Sequence, residues 1–480
     1  MASLRDIEHI VVLMLENRSF DNLFGLLQLQ AGLIDGLSPS APRTNPAPNG
    51  AVVATWSDSG DPSDKTIPDP DPGELFTDIT QQLFNGGPES QAPSMNGFAN
   101  NYASHNGVPR NIMHAFVPSD VPALTTLANE FAVCDQWFAS APCQTWPNRF
   151  FVHCATAGGY ENNDAKHAPF PMNTIFNELD GLKTWKIYFH DFPQSALLSR
   201  LWGRFENFKL FDAFLADAKA GTLPNYSFIE PMYYPTLETP PNDMHPPHNV
   251  AYGDALVASV YNAVRSSPNW SSTMLIVTFD EHGGCYDHVP PPPAVSPEIP
   301  RPGQVFAFDR YGVRVPAVMV SPMTSPMILR APAGTTPFDH TSVISTVRNC
   351  FGVGTHLTAR DAKAPDLSAV INAELDVNRG PASLPEITPK LSATDLSALV
   401  AKPVNDMQCA LHEFATRLES SPADPTLSVD SVEALLAHMV AKGGDASPPA
   451  ACDPAAPRPD VQTAGMEVRS VMANLLERFG

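Results

Sequence analysis

The segment SSTMLIVTFDEHGGCYDHVPPPP, residues 271–293, decides the fold that we predict for this chain. Residues 274–279 are apolar or β-branched in a run too short for a typical helix, which predicts a strand buried on both faces. That strand ends in two acids, Asp280 and Glu281, at the edge where open α/β sheets bind ligands. Two adjacent buried carboxylates repel each other unless a cation or a shared proton compensates. The alternative is a strand followed by an ordinary polar turn.

A second buried strand with the same kind of ending is predicted near the N-terminus. Residues 9–15, HIVVLML, form an apolar run that stops at Glu16 and Asn17. If the two strands are neighbours in a parallel sheet, their terminal oxygen-bearing side chains meet. An all-oxygen set suits a hard divalent cation such as calcium, magnesium or manganese. The alternative for Glu16 and Asn17 is a cap or turn, because residues 18–22 could start a helix.

Strands, loops and helices alternate along most of the chain without an internal repeat, which predicts an α/β protein with a mainly parallel sheet and helices on both faces. We assign residues 1–380 to this α/β domain, with a loop-rich insertion at 31–110 whose helix begins near Pro72. Residues 381–480 are a C-terminal helical extension in which we find no chemistry. Its predicted helices are 394–418, 430–442 and 466–479. Further strands are predicted at 185–189, 226–230 and 315–321, and further helices at 254–264 and in the residues before Cys350.

The charge of the chain limits its partners. Acidic residues outnumber basic ones by 51 to 29, and the formal net charge is −22, which argues against nucleic acid or an anionic membrane as a standing partner. An anionic substrate therefore needs a local cation. The seven cysteines show no CxxC pair, and at least one is expected to be unpaired. No stretch approaches transmembrane length and no signal peptide is recognisable, so we expect a cytoplasmic protein, or a secreted one whose leader was removed; the oligomeric state stays open.

A candidate nucleophile lies in SAPCQTWPNRFFVHCAT, residues 140–156. Thr145 precedes Trp146 and Pro147 at the predicted start of a helix, where backbone N–H groups and the helix dipole favour an anion. This position suits a hydroxyl that attacks phosphorus. The alternative is an N-cap threonine.

Histidines follow two other predicted strands. His190 comes directly after one, and His245 and His248 lie in a proline-rich loop after another. They are candidates for a general acid or for contacts with phosphate oxygens. The alternative is that each is simply solvated.

Five motifs, taken together, resemble the phosphoesterase family of bacterial and plant non-specific phospholipases C and related acid phosphatases. The resemblance spans about the first 350 residues and implies an alkaline-phosphatase-like α/β fold. The motifs are LMLENRSFDNLFG (13–25), QTWPNRFF (144–151), MHPPHNV (244–250), TFDEHGGCYDHVPPP (278–292) and FDHTSV (338–343).

The resemblance also implies roles for particular residues. Thr145 would be the nucleophile, forming a phospho-threonine intermediate that water hydrolyses. Asn148, His245 and His190 would contact the phosphoryl group. One divalent metal ion would be bound by Glu16, Asn17, Asp280 and Glu281 and touched by Thr145.

The chain departs from the family pattern at one candidate catalytic residue. Many members have a histidine in the loop that corresponds to residues 71–73, whereas this chain has Glu74. A carboxylate cannot donate to phosphate unless it is protonated, which leaves the acid for the leaving group open. In residues 381–480 we recognise no C-terminal β domain like that of the large bacterial phospholipases.

We therefore predict a metal-dependent hydrolase of phosphoric esters, more specifically a phospholipase C-type phosphodiesterase acting on glycerophospholipids. One alternative is an acid phosphatase on the same site. Another is a non-catalytic protein that binds a metal or a lipid headgroup, against which the intact Thr145, Asp280 and Glu281 argue. Sulfatase-like activity is disfavoured, because Thr145 stands where the modified sulfatase nucleophile needs a cysteine.

Overall fold

The centre of the molecule is one sheet of eight strands, flanked by two small two-stranded sheets. The computed structural model describes residues 2–57, 65–300, 304–419 and 458–479. In that part of the chain the strands are β1 (His9–Leu15), β2 (Thr44–Pro46), β3 (Val52–Ala54), β4 (Ala132–Cys134), β5 (Trp137–Phe138), β6 (Trp185–Phe189), β7 (Phe208–Leu210), β8 (Tyr226–Ile229), β9 (Thr273–Phe279), β10 (Ala317–Val320), β11 (Met327–Leu329) and β12 (Phe338–Asp339).

The α-helices of the described residues are α1 (Phe20–Phe24), α2 (Phe76–Phe84), α3 (Phe98–Ser104), α4 (Pro122–Glu130), α5 (Thr145–Cys154), α6 (Ile175–Leu179), α7 (Phe211–Ala220), α8 (Val250–Ser266), α9 (Thr341–Phe351), α10 (Ala393–Val400), α11 (Asp406–Glu419) and α12 (Val461–Phe479). Short 3₁₀ helices cover Leu4–Asp6, Pro48–Gly50, Asn111–Met113, Ala165–His167, Gln194–Leu197, Ser199–Asn207, Trp270–Ser272 and Ser368–Val370.

The sheet has the spatial order β11-β4-β10-β9-β1-β8-β6-β7. Of these strands, β10 alone runs antiparallel to its neighbours, β9 and β4. Helices α4 and α7 both contact α8, while α5 contacts α6 and α9, so the helices form two groups. The prediction of a mainly parallel α/β sheet with helices packed on it is confirmed.

The two strands recognised first in the sequence are the central pair of this sheet. β1 and β9 are parallel and in register, from His9 opposite Thr273 to Leu15 opposite Phe279. All seven residues of each strand are buried. Because successive side chains point to opposite faces, this burial requires both faces of the sheet to be covered.

The insertion forms a second, smaller hydrophobic core of its own. Helices α2 and α3 bury Ile79, Leu83 and Phe98 there, together with Tyr286 from the segment that follows β9. The helix begins at Phe76 rather than near Pro72. The stretch before α2 stays non-helical, and it lies against the carboxyl edge of the sheet.

The C-terminal extension packs on the same main core as the sheet, through residues such as Phe414 and Val468. The prediction of one helix over 394–418 was wrong, because the chain breaks into α10 and α11 around Pro403, whose ring cannot continue a helix. The last helix starts at Val461, earlier than predicted. The predicted helix 430–442 lies outside the described residues.

Five cysteines of the described chain are free and buried, which confirms that at least one is unpaired: Cys134, Cys143, Cys154, Cys285 and Cys350. Among the helices that the structure describes, none has the length and apolar character needed to cross a bilayer.

A buried carboxylate joins two helices of one layer. Asp254 of α8 accepts hydrogen bonds of 2.9 Å from the backbone N–H groups of Ala123 and Leu124, in the first turn of α4. These donors have no partner within their own helix. Burial raises the pKa of Asp254 to about 6, although the two hydrogen bonds oppose the shift.

We expect Asp254→Asn to change how stability depends on pH. A carboxyl whose pKa is raised in the folded state costs stability as it ionises, so the wild type loses stability as the pH rises from about 4 to 6. The variant lacks this loss. The difference in free energy of unfolding between the two proteins should therefore change by about 2 kcal/mol between pH 4.5 and 7.5. Denaturant unfolding at both pH values measures it. Asp309→Asn, at an exposed aspartate, should leave the difference constant; a constant difference for Asp254→Asn would refute the coupling.

Candidate active site

Four oxygen-bearing side chains meet where β1 and β9 end. Glu16, Asn17, Asp280 and Glu281 are all fully buried. The Asn17 backbone N–H donates to Asp280 Oδ1 over 3.1 Å, which ties the two strand ends together. The Gly283 N–H donates to Glu281 Oε2 over 2.8 Å. The expectation that the two strands are neighbours is therefore confirmed.

One oxygen of each acid in this group lacks a hydrogen-bond donor. Glu16 Oε2, Asp280 Oδ2 and Glu281 Oε1 are buried without a hydrogen-bond partner among the described residues, and such atoms are rare in folded proteins. Burial raises the pKa of Glu16 and of Glu281 well above the ordinary range and that of Asp280 to about 6. Unsatisfied carboxylate oxygens in this number fit a hard divalent cation.

A buried arginine supplies positive charge beside this group. Arg149 Nε lies 3.0 Å from Glu16 Oε1 and 3.4 Å from Asp280 Oδ2. Its Nη2 donates to the Met14 carbonyl over 3.1 Å. Arg149 thus ties α5 to the end of β1. Sequence reasoning gave it no role, although its position four residues after Thr145 places both on one helix face.

Thr145 is the first residue of α5 and is fully buried. Its hydroxyl donates to Asn17 Oδ1 over 3.4 Å, so it points at the carboxylate group. The N-cap residue of α5 is Gln144, and the alternative of an N-cap threonine is therefore excluded. The helix presents a hydroxyl next to side chains that suit a cation.

Asn148 lies one turn further along α5, and its amide is engaged in the loop before the helix. Its Oδ1 accepts from the Ala141 N–H over 3.0 Å. Its Nδ2 is within 3.2 Å of the carbonyls of Ala141, Cys143 and Gln144. These contacts hold the loop that leads to Thr145. The phosphoryl contact that the family resemblance implies for Asn148 stays a prediction.

His245 lies on the side of the site formed by the insertion. Its Nε2 is 3.6 Å from Glu74 Oε2 and its Nδ1 is 3.6 Å from Asp71 Oδ1. Burial by itself would lower the pKa of His245, but Glu74 and Asp71 raise it well above its usual value. The structure thus brings the predicted site residues Glu74 and His245 together. The charge of Glu74 raises the pKa of Glu281, and the charge of Glu16 raises the pKa of His245.

His190 does not join this group. Its Nδ1 lies 3.0 Å from the Glu230 carbonyl, and its ring stacks on Phe211 at 4.4 Å between centroids. It lines a separate groove with Met232 and Tyr252. Burial lowers the pKa of His190 to about 4, so the ring is neutral at physiological pH. The structure gives it no contact with the candidate nucleophile.

Two further histidines, to which sequence reasoning assigned no role, support the strand ends. His340 Nε2 donates to the Asp280 carbonyl over 2.6 Å, and its Nδ1 accepts from Trp137 Nε1 over 3.2 Å. His282 Nε2 lies 2.8 Å from Gln82 Oε1, which links the insertion to the residue after Glu281. His340 lies in the motif FDHTSV (338–343), so its role could have been suspected from the sequence.

A neighbouring acidic group is satisfied internally. Arg314 donates to Asp21 and Asp287 over 3.0 Å each, and His288 Nδ1 lies 2.6 Å from Asp21 Oδ2. These bonds fasten the segment after β9 to α1. Since Arg314 already supplies the positive charge, this network is structural.

The chain is similar to several known proteins. The model of the "Phosphoesterase family" matches residues 7–354. Non-specific phospholipase C3 of Arabidopsis thaliana is 40% identical over 412 residues, covering 80% of this chain and 77% of that protein. Non-specific phospholipase C1 of the same plant is 38% identical over 436 residues, covering 86% and 79%. Among solved structures, the chain is similar to a protein in the alkaline phosphatase superfamily from Vibrio parahaemolyticus, with 14% sequence identity. The match covers 51% of this chain and 63% of that protein, and its TM-score is 0.32.

Gly283 permits the close approach of the two strand ends. It has a φ of +61°, and a Cβ there would lie 2.1 Å from the Asn17 carbonyl oxygen. Gly352 has nearly the same φ, +63°, with no atom within 4 Å of the equivalent position. Alanine at either glycine would strain the backbone, but only alanine at Gly283 would also collide with a neighbouring atom.

We expect Gly283→Ala to displace Asn17 and to weaken binding of Mn²⁺ at least tenfold, with a lower melting temperature. Gly352→Ala incurs only the cost of a left-handed alanine, about 1–2 kcal/mol, and should bind Mn²⁺ as the wild type does. Calorimetric titration and thermal unfolding measure both effects. Equal behaviour of the two variants would show that the approach to Asn17 is unimportant.

Arg149→Met should destabilise the protein by about 3–5 kcal/mol, because it leaves buried carboxylates without their counter-charge. Arg348→Met is the matched control, since Arg348 pairs with Asp361 away from the site, and it should cost less. Denaturant unfolding of chelator-treated samples compares them. If Arg149→Met has the same free energy of unfolding as the wild type, Arg149 does not offset the charge of the buried carboxylates.

Proposed function

This chain belongs to the Phosphoesterase family and is a hydrolase of phosphoric esters, and from this premise we propose that it cleaves glycerophospholipids as a phospholipase C, with a divalent metal ion and a phospho-threonine intermediate. The relatives named non-specific phospholipase C cover most of the chain at about 40% identity and support the substrate class. One observation carries the mechanism: the Thr145 hydroxyl donates to Asn17 beside three unsatisfied carboxylate oxygens.

The metal would be held by Glu16, Asn17, Asp280 and Glu281, with the oxygen of Thr145 completing the set. The donor atoms are all oxygens, which favours calcium, magnesium or manganese. Such an ion, when bound, lowers the pKa of a hydroxyl it touches and offsets negative charge on the phosphoryl group. The buried and unpartnered oxygens of the three acids support this assignment.

The proposed chemistry has two steps on Thr145. In the first, Oγ1 bonds to phosphorus as the phosphorus–oxygen bond to the diacylglycerol breaks, and the alcohol takes up one proton while the threonine gives up one. In the second, water breaks the bond between phosphorus and Oγ1, restoring the hydroxyl and releasing the phosphorylated headgroup. The sum is hydrolysis of one diester bond.

Other residues of the group orient and balance these steps. Asn148, which bonds the loop before α5, keeps Thr145 in place. Arg149 holds α5 against the end of β1. We assign His245 to the phosphoryl oxygens, with a proton or a metal ion supplying the positive charge beside the Glu74 carboxylate, which lies 3.6 Å from His245 Nε2.

Hydrolysis of two chromogenic esters tests the proposal. We expect para-nitrophenyl phosphorylcholine to be cleaved, with loss of activity after chelation and recovery on adding a divalent metal. Cleavage of para-nitrophenyl phosphate alone would instead make the protein an acid phosphatase on this site. Absence of both activities in a sample that contains metal would refute the proposal in favour of a non-catalytic binding protein.

Thr145→Ala should retain the metal and lose turnover by at least about a thousandfold, because no other hydroxyl replaces the nucleophile. Thr145→Ser keeps a hydroxyl and should retain measurable activity. Metal content and steady-state rates are measured on the same samples. Turnover of Thr145→Ala near that of the wild type would exclude Thr145 as the nucleophile.

A further inference from the structure

Three side chains beside the strand-edge site form a second possible set of metal ligands. Asp71 and Glu74 come from the insertion, and His245 comes from the loop after β8. One ligand atom from each lies within 4.8 Å of the others. One imidazole nitrogen and two carboxylates are a donor set found around zinc and other transition-metal ions in proteins.

Each of these side chains has a polar atom without a hydrogen-bond partner in the described part of the chain. The atoms are Asp71 Oδ1, Glu74 Oε1 and His245 Nε2. The side chain of His245 is fully buried, and that of Glu74 is 3% exposed. Buried polar atoms without partners are costly, so this group of atoms needs a ligand.

The position of the proton on the His245 ring indicates what kind of ligand these atoms need. Its Nδ1 lies 2.7 Å from the Pro246 carbonyl oxygen, which can only accept, so Nδ1 carries the proton. Nε2 then faces Glu74 Oε2, 3.6 Å away, and carries either the second proton of a charged ring or a bound metal ion. That distance is too long for a hydrogen bond. A histidine that donates Nδ1–H to a backbone carbonyl and offers a free Nε2 has the usual arrangement of a metal ligand.

Arg18 fixes the positions of the two segments that carry these ligands. Its Nε donates to the Met244 carbonyl over 2.7 Å, next to His245, and its Nη1 donates to the Ile67 carbonyl over 2.6 Å, in the insertion. The three ligands are therefore preorganised. Asp71 is 25% exposed at its side chain, which gives an ion a path from solvent.

We propose that Asp71, Glu74 and His245 bind a second divalent cation, of the zinc class, next to the strand-edge metal ion. The inference rests on the proposed function and deepens it. Two carboxylates beside His245 would repel an anionic phosphoryl group, whereas a cation bound between them attracts it. Glu74, which cannot donate to phosphate as a carboxylate, then acts as a metal ligand.

Titration of the chelator-stripped full chain with Zn²⁺ tests this proposal by counting bound ions. We expect two ions per wild-type chain, one for Glu74→Gln, which removes a ligand of the second site, and one for Asp280→Asn, which removes a ligand of the first. Glu206→Gln, at an exposed glutamate, should still bind two. Metal analysis after dialysis confirms the counts.

The outcomes separate this inference from the proposed function. One ion in the wild type that is lost in Asp280→Asn and kept in Glu74→Gln would overturn the second site and leave the first intact, with a proton on His245 instead. One ion that is lost in Glu74→Gln and kept in Asp280→Asn would support the second site and show that the strand-edge site does not bind Zn²⁺. No bound ion would refute the second site.

A folding defect in Glu74→Gln would leave the test intact, because Asp71→Asn alters a partly exposed ligand of the same site. It should likewise lower the count from two ions to one. A wild-type count of two that neither variant changes would overturn the proposal.

Discussion

The in-register parallel pairing of β1 with β9 is the constraint on which the rest of the site depends. It places Glu16 beside Asp280 at one edge of the sheet, with both side chains fully buried. Buried like charges are unfavourable unless cations or hydrogen bonds compensate. The surrounding residues compensate for these buried charges, and the first such contact is the hydrogen bond from the Asn17 N–H to Asp280.

Helix α5 supplies both the compensation and the chemistry. Arg149 faces the carboxylates that end the two strands, while Thr145, one turn earlier, presents its hydroxyl to Asn17. A single rigid helix therefore fixes the distance between the counter-charge and the nucleophile. Among the carboxylates that end the two strands, the guanidinium donates a hydrogen bond to Glu16 Oε1. The oxygens of Glu16, Asp280 and Glu281 that have no hydrogen-bond partner are the ones that a divalent cation would bind.

The insertion completes the site from the other side. It carries its own small core, so it is a folded unit placed over the edge of the sheet rather than a loose loop. Gln82 connects it to His282 and Arg18 connects it to the loop of His245. The C-terminal extension also reaches this region, since Asn405 Nδ2 lies 3.4 Å from His245 Nδ1. The tail that showed no chemistry in the sequence thus packs against the site.

The sequence by itself determined the central strands, the mainly parallel sheet and the oxygen-bearing side chains at the strand ends, because apolar runs that end in acids are local patterns. It also marked Thr145, since a hydroxyl before a Trp-Pro helix start is visible in the chain. Tertiary structure alone decided that Arg149 is the counter-charge, that His190 faces another groove, and that Asp71 and Glu74 meet His245. Those contacts join segments far apart in the chain, and which segments meet depends on the packing of the insertion and the loops, which no local pattern encodes.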